Sequence, residues 1–235
     1  MVGLKKEKEV SKADLLTAFY DIITPEKREK FDELAALRSN YVTVAVENLN
    51  QEHNASAVMR SCDCFGIRDL HIVEKNHQFT VQRDIAKGSK RWVKHHHYSD
   101  VKFPTSKCIN SLKTQGYKVV AMTPHEQEVS IWDLPLDEPL AFFFGTEISG
   151  LSEQALSLAD THCVIPMYGF TESFNISVSA ALTLQIIRSR LEERNDIDWL
   201  LNEDEQIDLK LHWCKQIVRN SDIVEREFIQ RLQQH

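Results

Sequence analysis

The sequence predicts an α/β domain built on a largely parallel sheet, with helical extensions at both ends of the chain. Short apolar segments alternate with helical segments over residues 41–194, which is typical of parallel sheets whose strands are joined by helices. The run LAFFFG, closed by Gly145, has the unbroken apolar character of a strand buried on both faces. Composition shifts after Arg194 to charged residues with periodic Ile, Leu and Trp. We therefore expect three parts: residues 1–40, 41–194 and 195–235.

The N-terminal part predicts two helices after a charged arm at residues 1–10 that we expect to be mobile. The pattern LLTAFYDII indicates a helix from Ser11. In the second helix Thr24 is the N-cap, Pro25 the first position and Glu26 an acid in the first turn. It should run to about Arg38.

The remaining elements follow from valine-rich alternation, apolar periodicity and turn residues. Residues 74–91 are polar with little periodicity and predict a surface loop. The predicted strands are Tyr41–Glu47, DLHIV from Asp69, a segment near Trp92–His96, YKVVAM, LAFFFG and the CVIP of Cys163–Pro166. The predicted helices are Glu52–Phe65, Thr105–Gln115, SEQAL, a helix from near Ile176, Glu203–Arg219 and Ser221–Gln233.

Charge and composition exclude several classes of protein. The net charge of -7 argues against a surface that is basic all over, although it allows a local basic patch. No apolar run approaches the ~20 residues of a membrane helix and MVGLKKEKEV is no signal peptide, so we expect a cytoplasmic protein. The stripes that include Trp199, Trp213 and Ile217 favour packing on a neighbour, such as another subunit, over cofactor binding.

Cysteine and histidine spacing gives no metal site. The five cysteines are an odd set without zinc-like pairing, so we expect reduced core thiols. The run His95–His97 follows Trp92 and Val93 in a strand-like segment and has no Cys or acidic partner nearby in the sequence. We expect no bound metal.

Three polar clusters stand where strands or loops become helices. In MYGFTESFNISVSAALTLQ the polar residues Glu172, Ser173 and Asn175 precede a clean amphipathic helix, so backbone N–H groups and short side chains face one place. In ENLNQEHNASAVMRSCDCFG, Asn54 is either an N-cap or a site residue. Arg60 lies on a helix that leaves the carboxyl end of a strand, where a guanidinium suits a phosphate or a developing oxyanion.

The third cluster is FFFGTEISGLSEQAL, in which Gly145 allows close backbone approach. Glu147 and Gly150 make a turn before the N-cap Ser152. A phosphate loop would need more glycines and a lysine, and the chain has no G-x-G-x-x-G. Neither an ATPase nor a standard dinucleotide enzyme is indicated.

Together the clusters resemble, in order and spacing, the three motifs of the SpoU/TrmH family of RNA ribose 2'-O-methyltransferases in the SPOUT superfamily. NASAVMRSCDCFG is similar to the first motif, FGTEISGL to the second and IPMYGFTESFNISVSA to the third. The likeness extends from Thr24 to about Leu191. It implies a parallel sheet whose C-terminal part forms a deep trefoil knot, a rare exception to the usual connection rules.

The resemblance also implies a cofactor, an assembly and a set of site residues. Family members bind S-adenosylmethionine within the knot and act as homodimers. The implied catalytic residues are Arg60, Asn54, Glu147, Ser173 and Asn175. The implied cofactor-binding residues are Met122, Gly145, Ile165, Met167 and Phe174. An arginine stays protonated, so we interpret Arg60 as an oxyanion stabiliser or phosphate clamp rather than a base, with deprotonation assisted by the RNA phosphate or water.

The substrate suggested by the resemblance is tRNA. The helical N-terminus, GSKRW at Gly88–Trp92 and the C-terminal helices are most similar to the TrmH branch, which methylates guanosine 18 of the tRNA D-loop. Glu29, Asp32 and Ala36 depart from the arginine-rich character of that branch. The candidates for backbone contact are Arg38, Lys90, Arg91, Arg188 and Arg190. Two alternatives stay open: a ribosomal RNA 2'-O-methyltransferase, and a factor that binds RNA or cofactor without catalysis.

Overall fold

A computed structural model describes residues 10–49, 51–74, 80, 82, 86, 88–99, 102–124 and 129–234. The chain divides into two compact units, one of residues 38–200 and one of the terminal residues up to Leu37 and from Leu201. The predicted mobile arm lies outside the described residues apart from Val10. Most of the predicted loop over residues 74–91 also lies outside them.

The larger unit is organised on a sheet of seven strands, all of them parallel in the described residues. The strands are β1 (Val42–Glu47), β2 (Asp69–Val73), β3 (Lys94–Tyr98), β4 (Lys118–Met122), β5 (Val129–Ser130), β6 (Leu140–Phe144) and β7 (Thr161–Val164). Their order across the sheet is β3-β2-β1-β6-β4-β7-β5. This confirms the predicted α/β fold with a parallel sheet.

The described helices flank this sheet or form the terminal unit. They are α1 (Lys12–Tyr20), α2 (Pro25–Ala35), α3 (Glu52–Cys64), α4 (Pro104–Thr114), α5 (Glu153–Leu158), α6 (Ile176–Glu192), α7 (Glu203–Ile217) and α8 (Ser221–Gln234). Residue types that commonly cap helices occupy three of the helix ends. The side chains of Ser11 and Ser152 accept from backbone N–H groups of the first turn, and Gly66 after α3 has a positive φ of 74°.

The structure differs from the prediction at two boundaries and in one strand. α2 ends at Ala35 rather than near Arg38. β3 begins at Lys94 rather than Trp92, because Ser89–Arg91 form a turn of 3₁₀ helix after the left-handed Gly88. Strand β5 was not predicted, since two residues give no periodicity to detect.

Helices cover both faces of the sheet because successive side chains of each strand point to opposite sides. On one face Val44, Val46 and Phe142 pack into a core shared with α3 and α6. On the other face Ala45 and Phe143 pack against α4 and α5. The central strand β1 is buried along its whole length. This parallel, doubly covered sheet explains why LAFFF is apolar without alternation.

The His95–His97 run has acidic partners in space, although none was apparent nearby in the sequence. His96 Nε2 lies 2.7 Å from Asp69, and His97 Nδ1 lies 3.1 Å from Glu74, because β3 pairs with β2 in the sheet. Burial alone would raise the pKa of Asp69, but hydrogen bonds from His96 and Arg68 outweigh it and lower the pKa to about 2. Within the described part of the chain, no group of three or more metal-ligating side chains occurs.

His71 is buried beside this pair and should make stability depend on pH. Its ring stacks on His96 at 4.6 Å between centroids, and its Nδ1 lies 3.2 Å from the Tyr98 hydroxyl. Burial lowers the pKa of His71 to about 4; the positive charges of His96 and Arg68 add to the shift and Asp69 opposes it. The folded imidazole therefore stays neutral at pH values where the unfolded one binds a proton.

We expect His71 to reduce the free energy of unfolding by about 2 kcal/mol between pH 7 and pH 5. The stabilisation by neutral His71 is fully present above the ordinary histidine pKa. It is lost as the pH falls towards the lower pKa that His71 has in the folded protein. Urea unfolding of the wild type and of His71→Asn at both pH values measures the effect. The exposed His53→Asn is the control. Equal pH dependence in the wild type and His71→Asn would contradict the assignment.

The terminal unit packs four helices, α1, α2, α7 and α8, through aromatic and ionic contacts. The rings of Phe31 and Trp213 meet edge to face at 5.2 Å. Asp32 Oδ1 accepts from the Tyr20 hydroxyl at 2.9 Å and from Lys210 Nζ at 2.7 Å. The N-terminal and C-terminal extensions, predicted as separate parts, thus share one core.

Two further expectations concern the thiols and the membrane. None of the five cysteines forms a disulfide; Cys64 is exposed, whereas the other four are buried. The expectation of core thiols was therefore wrong for Cys64 alone. Among the helices that the structure describes, none has the length and apolar character needed to cross a bilayer.

Candidate active site

A cavity of about 380 Å³ opens at the carboxyl ends of β4, β6 and β7. Ligand sites of α/β sheets lie at this edge, and the volume is that of a small-molecule pocket. All five residues predicted to bind the cofactor line it: Met122, Gly145, Ile165, Met167 and Phe174. Thr123, Pro124 and Ser179 also line it but were not predicted. The turn signal Thr123-Pro124 directly after a strand could have indicated the first two.

One wall of the cavity is the segment Gly145–Leu151, here called the cavity loop. Thr146 and Gly150 exchange backbone hydrogen bonds of 3.1 and 2.9 Å, so the loop folds back on itself. A Cβ added to Gly145 would lie 2.1 Å from the carbonyl carbon of Gly150. Only glycine fits at this position.

The lining suits an adenine nucleoside that carries a flexible apolar and charged chain. Met122, Ile165, Met167 and Phe174 supply apolar walls, and the adjoining loop segments supply backbone N–H and C=O groups. The residues present therefore fit S-adenosylmethionine.

Glu147 of the cavity loop joins the first and third motifs through a single oxygen. Its Oε1 accepts hydrogen bonds from Asn54 Nδ2 at 3.0 Å, from Asn175 Nδ2, and from the backbone N–H of Ile176 at 3.3 Å. Asn175 Nδ2 also donates to Asn54 Oδ1 at 3.0 Å. We call Asn54, Glu147 and Asn175 the polar triad; the structure brings these three predicted site residues together.

Asn54 is not the N-cap of α3. The helix begins at Glu52 after Gln51, and Asn54 lies in its first turn, where it is buried. Its amide donates to Gln51 Oε1 at 2.8 Å as well as to Glu147. The hydrogen bond to Glu147, 93 residues away in the sequence, orients the Asn54 side chain towards the cavity loop. Asn175 does cap α6, because its Oδ1 accepts from the N–H of Ser177 at 2.9 Å.

The other two predicted catalytic residues form no hydrogen bond with the polar triad. Ser173 is exposed and lines the cavity. Arg60 is exposed on α3 and lies six positions after Asn54, which is about 9 Å along the helix axis and about 120° around it. Among the described residues, none forms a hydrogen bond or ion pair with Arg60.

Three of the five predicted RNA-contacting cations form contacts inside the protein. Arg38 is only 4% exposed, pairs with Asp63 and donates to the carbonyl of Ile67. Arg190 donates to the carbonyls of Ile131 at 2.8 Å and Leu134 at 2.7 Å.

Arg188 is held in the same way. It donates to the Phe65 carbonyl at 3.0 Å and to Glu192, and it stacks over Trp199 at 4.9 Å. Guanidinium groups that hold backbone carbonyls stabilise the fold, and fewer of their five N–H donors remain for a phosphate.

Lys90 and Arg91 remain as an exposed basic pair. They lie in the turn Ser89–Arg91, which packs beside α3 and thus on the same side of the sheet as Arg60. Ser89, which is buried, donates to the carbonyl of Ala86 and fixes the turn.

Comparison with known proteins gives consistent matches. Residues 41–185 match the SpoU rRNA Methylase family. The tRNA (guanosine(18)-2'-O)-methyltransferase of Borreliella burgdorferi is 38% identical over 203 residues, which are 86% of this chain and 91% of that protein. The protein of the same name from Thermus thermophilus is 32% identical over 180 residues, 74% of this chain and 91% of that protein.

A solved structure agrees with these matches. The A. aeolicus TrmH/SpoU tRNA modifying enzyme superposes with a TM-score of 0.73 and 26% identity, covering 83% of this chain and 98% of that chain. The similarity therefore extends beyond the residues of the family match.

Proposed function

The chain belongs to the SpoU rRNA Methylase family, and from this premise we propose that it is an S-adenosylmethionine-dependent tRNA methyltransferase acting on the ribose of guanosine 18. The observation that carries the proposal is the similarity over 91% of a protein named for that reaction. The cavity that Met122, Gly145, Ile165, Met167 and Phe174 line together supports the cofactor.

The proposed chemistry divides between the cofactor and the protein. When bound, S-adenosylmethionine supplies a methyl group on a positively charged sulfur. The ribose 2'-hydroxyl is a poor nucleophile until its proton is being lost. We assign Arg60 to the developing oxyanion or to the adjacent phosphate, because its guanidinium stays protonated and is otherwise unused among the described residues.

The polar triad has a positioning role in this scheme. Both hydrogens of the Asn54 amide and its oxygen are used within the protein, as are the donors and acceptor of Asn175. These side chains therefore hold the cavity loop against the start of α6. No donor from a described residue reaches Glu147 Oε2, which leaves that oxygen as an acceptor for a ligand.

A methylation assay tests the proposed function. Labelled S-adenosylmethionine is incubated with unmodified tRNA, with tRNA that carries adenosine in place of guanosine 18, and with ribosomal RNA. We expect labelling of the first substrate alone. Labelling of ribosomal RNA alone would replace the substrate, and bound cofactor without labelled RNA would favour a non-catalytic role.

Lys90 and Arg91 should contact the RNA backbone. We expect Lys90→Ala combined with Arg91→Ala to weaken tRNA binding and to reduce the slope of log affinity against log salt by about 1 to 2. The kcat at saturating tRNA should stay unchanged. The control is Lys107→Ala, an exposed lysine on α4 at the opposite face of the sheet. An unchanged salt slope would contradict the assignment.

Assembly and topology follow from the same family. We propose a homodimer, supported by the almost fully exposed Ile148, Tyr168 and Phe170 beside the cavity, which a second copy would cover. The mass of the protein in solution tests it. Because the proposed substrate is tRNA and none of the five cysteines forms a disulfide, we place the protein in the cytoplasm.

We also propose that the C-terminal part of residues 41–194, the methyltransferase domain, forms a trefoil knot. Strand β7 lies between β4 and β5, which both precede it in the chain. Arg190 of α6 then binds the carbonyls of the 131–134 segment that follows β5. Both contacts support threading of β7 and α6 through the earlier connection. A crystal structure that traces residues 118–192 tests the crossing.

A further inference from the structure

Glu47 is a buried carboxylate that the chemistry above does not use. It ends the central strand β1 and is 2% exposed. No ion pair joins it to a lysine, arginine or histidine of the described residues. Because removal of a carboxylate from water is costly unless its oxygens are hydrogen-bonded, its partners define what it does.

The partners of Glu47 are neutral donors from two segments. The backbone N–H of Ser152 donates to Oε2 at 2.8 Å, and the Ser152 hydroxyl donates to Oε1 at 2.8 Å. The Thr105 hydroxyl at the start of α4 also donates to Oε1. Ser152 is thus held by both carboxylate oxygens at once, while its own Oγ accepts from Ala155 N–H and caps α5.

These bonds place Glu47 at the far end of the cavity loop. The loop begins at Gly145, directly after Phe144, which pairs with Val46 in the sheet. It ends at Leu151, and Ser152 follows. The strand pairing fixes the first end of the loop, and Glu47, the neighbour of Val46, fixes the second. Two neighbouring residues of β1, Val46 and Glu47, therefore hold the two ends of the loop.

We propose that Glu47 is a positioning residue that holds the cavity loop, and through it Glu147, in the shape that binds the cofactor. The inference rests on the proposed function, because it takes S-adenosylmethionine as the ligand of the cavity. Glu47 acts through Ser152 and does not contact the cofactor itself.

The carboxylate is needed because every partner donates. In Glu47→Gln the amide oxygen can face the Ser152 N–H, but the NH₂ then faces the hydroxyls of Ser152 and Thr105. Those hydroxyls must accept instead of donate, and their hydrogens lose the acceptor that the carboxylate provides. We expect KM and Kd for S-adenosylmethionine to rise about tenfold, with kcat at saturating cofactor within about threefold of the wild type.

The matched control is Thr105→Val, which removes a donor from the same carboxylate but leaves the loop anchor intact. It should lower thermal stability, as Glu47→Gln does, yet change KM for S-adenosylmethionine less than about twofold. Hydrogen exchange of residues 145–152 should become faster in Glu47→Gln and stay unchanged in Thr105→Val. If Glu47 had only a structural role, both variants would lower thermal stability and neither would raise KM for S-adenosylmethionine relative to kcat.

Ser152→Ala provides a second variant should Glu47→Gln fail to fold. It removes the hydroxyl donor and keeps the N–H, so we expect KM for S-adenosylmethionine to rise about threefold. Ser11→Ala, which also removes an N-cap serine but lies in the terminal unit, should leave KM unchanged.

Two outcomes would overturn the inference: equal KM values in Glu47→Gln and Thr105→Val, or unchanged exchange of residues 145–152 in Glu47→Gln. A wild type that does not bind S-adenosylmethionine would overturn the proposed function instead. The exchange measurement on the protein alone would then still decide whether Glu47 holds the loop.

Discussion

Arg60→Ala is expected to lower kcat for ribose methylation about 10²- to 10³-fold while KM for S-adenosylmethionine stays within about twofold. The reason is that Arg60 is an exposed cation without a described protein partner, outside the lining of the cofactor cavity. Its guanidinium can meet charge that develops on the ribose oxygen without contributing to cofactor binding. Single-turnover methylation of unmodified tRNA, with cofactor binding measured separately, gives both quantities.

The conservative variant distinguishes geometry from charge. Lysine keeps the positive charge but lacks the planar fork of donors, so Arg60→Lys should still lose at least about tenfold in kcat. Cys64→Ser is the control, because Cys64 is exposed one helical turn further along the same face of α3. Near-normal turnover by Arg60→Lys would show that a point charge suffices and would exclude an oxyanion held by the guanidinium.

Asn175→Asp is expected to reduce kcat/KM about 100-fold while the protein stays folded. Aspartate is as good an N-cap as asparagine, and its negative charge interacts favourably with a helix N-terminus. We therefore expect α6 to begin at the same residue. The new carboxylate cannot donate to Glu147 or Asn54, and it places a like charge against Glu147. The polar triad should therefore open without loss of the helix.

The matched control for this variant lies in the terminal unit. Asn202 caps α7 and accepts from the N–H of Glu205 at 3.0 Å. Asn202→Asp makes the same chemical change at a helix start, and we expect no effect on methylation. Thermal melting and kcat/KM of both variants form the test. Equal activity in the two would mean that the amide of Asn175 serves only as a cap.

The sequence predicted the elements whose signals are local. Thr24-Pro25, Ser152 and Asn175 mark helix starts because capping depends on residues within one turn. The buried strand LAFFF was recognisable from its unbroken apolar run. Strand β5 escaped because two residues carry no period.

Contacts between distant segments were beyond the reach of local patterns. Asparagine is a common N-cap residue, but Asn54 lies inside the first turn of α3. Its side chain donates a hydrogen bond to Glu147 instead of capping the helix. Arginine is the residue type expected at an RNA-binding surface, yet Arg38 and Arg190 donate hydrogen bonds to backbone carbonyls far away in the sequence. Exposure and partners of an arginine depend on tertiary packing, which single-sequence reasoning does not supply.

The cavity residues were located by resemblance alone. Nothing in the periodicity of β4 or β7 indicates that Met122 and Ile165 meet around one cavity. The three motifs linked those positions to a known arrangement. Glu47 remained unnoticed because a single acid at the end of a strand has no distinctive pattern in the sequence.

The polar triad also has a consequence for the order of events on the ribosome. Asn54 emerges 93 residues before Glu147 and 121 residues before Asn175. At a synthesis rate of about 5 to 20 residues per second, Asn54 waits roughly 6 to 24 seconds for its last partner. During that interval the ribosome makes all the described strands after β1, but the start of α6 is not yet made. The site therefore acquires its final form only after every described strand of the sheet has been synthesised.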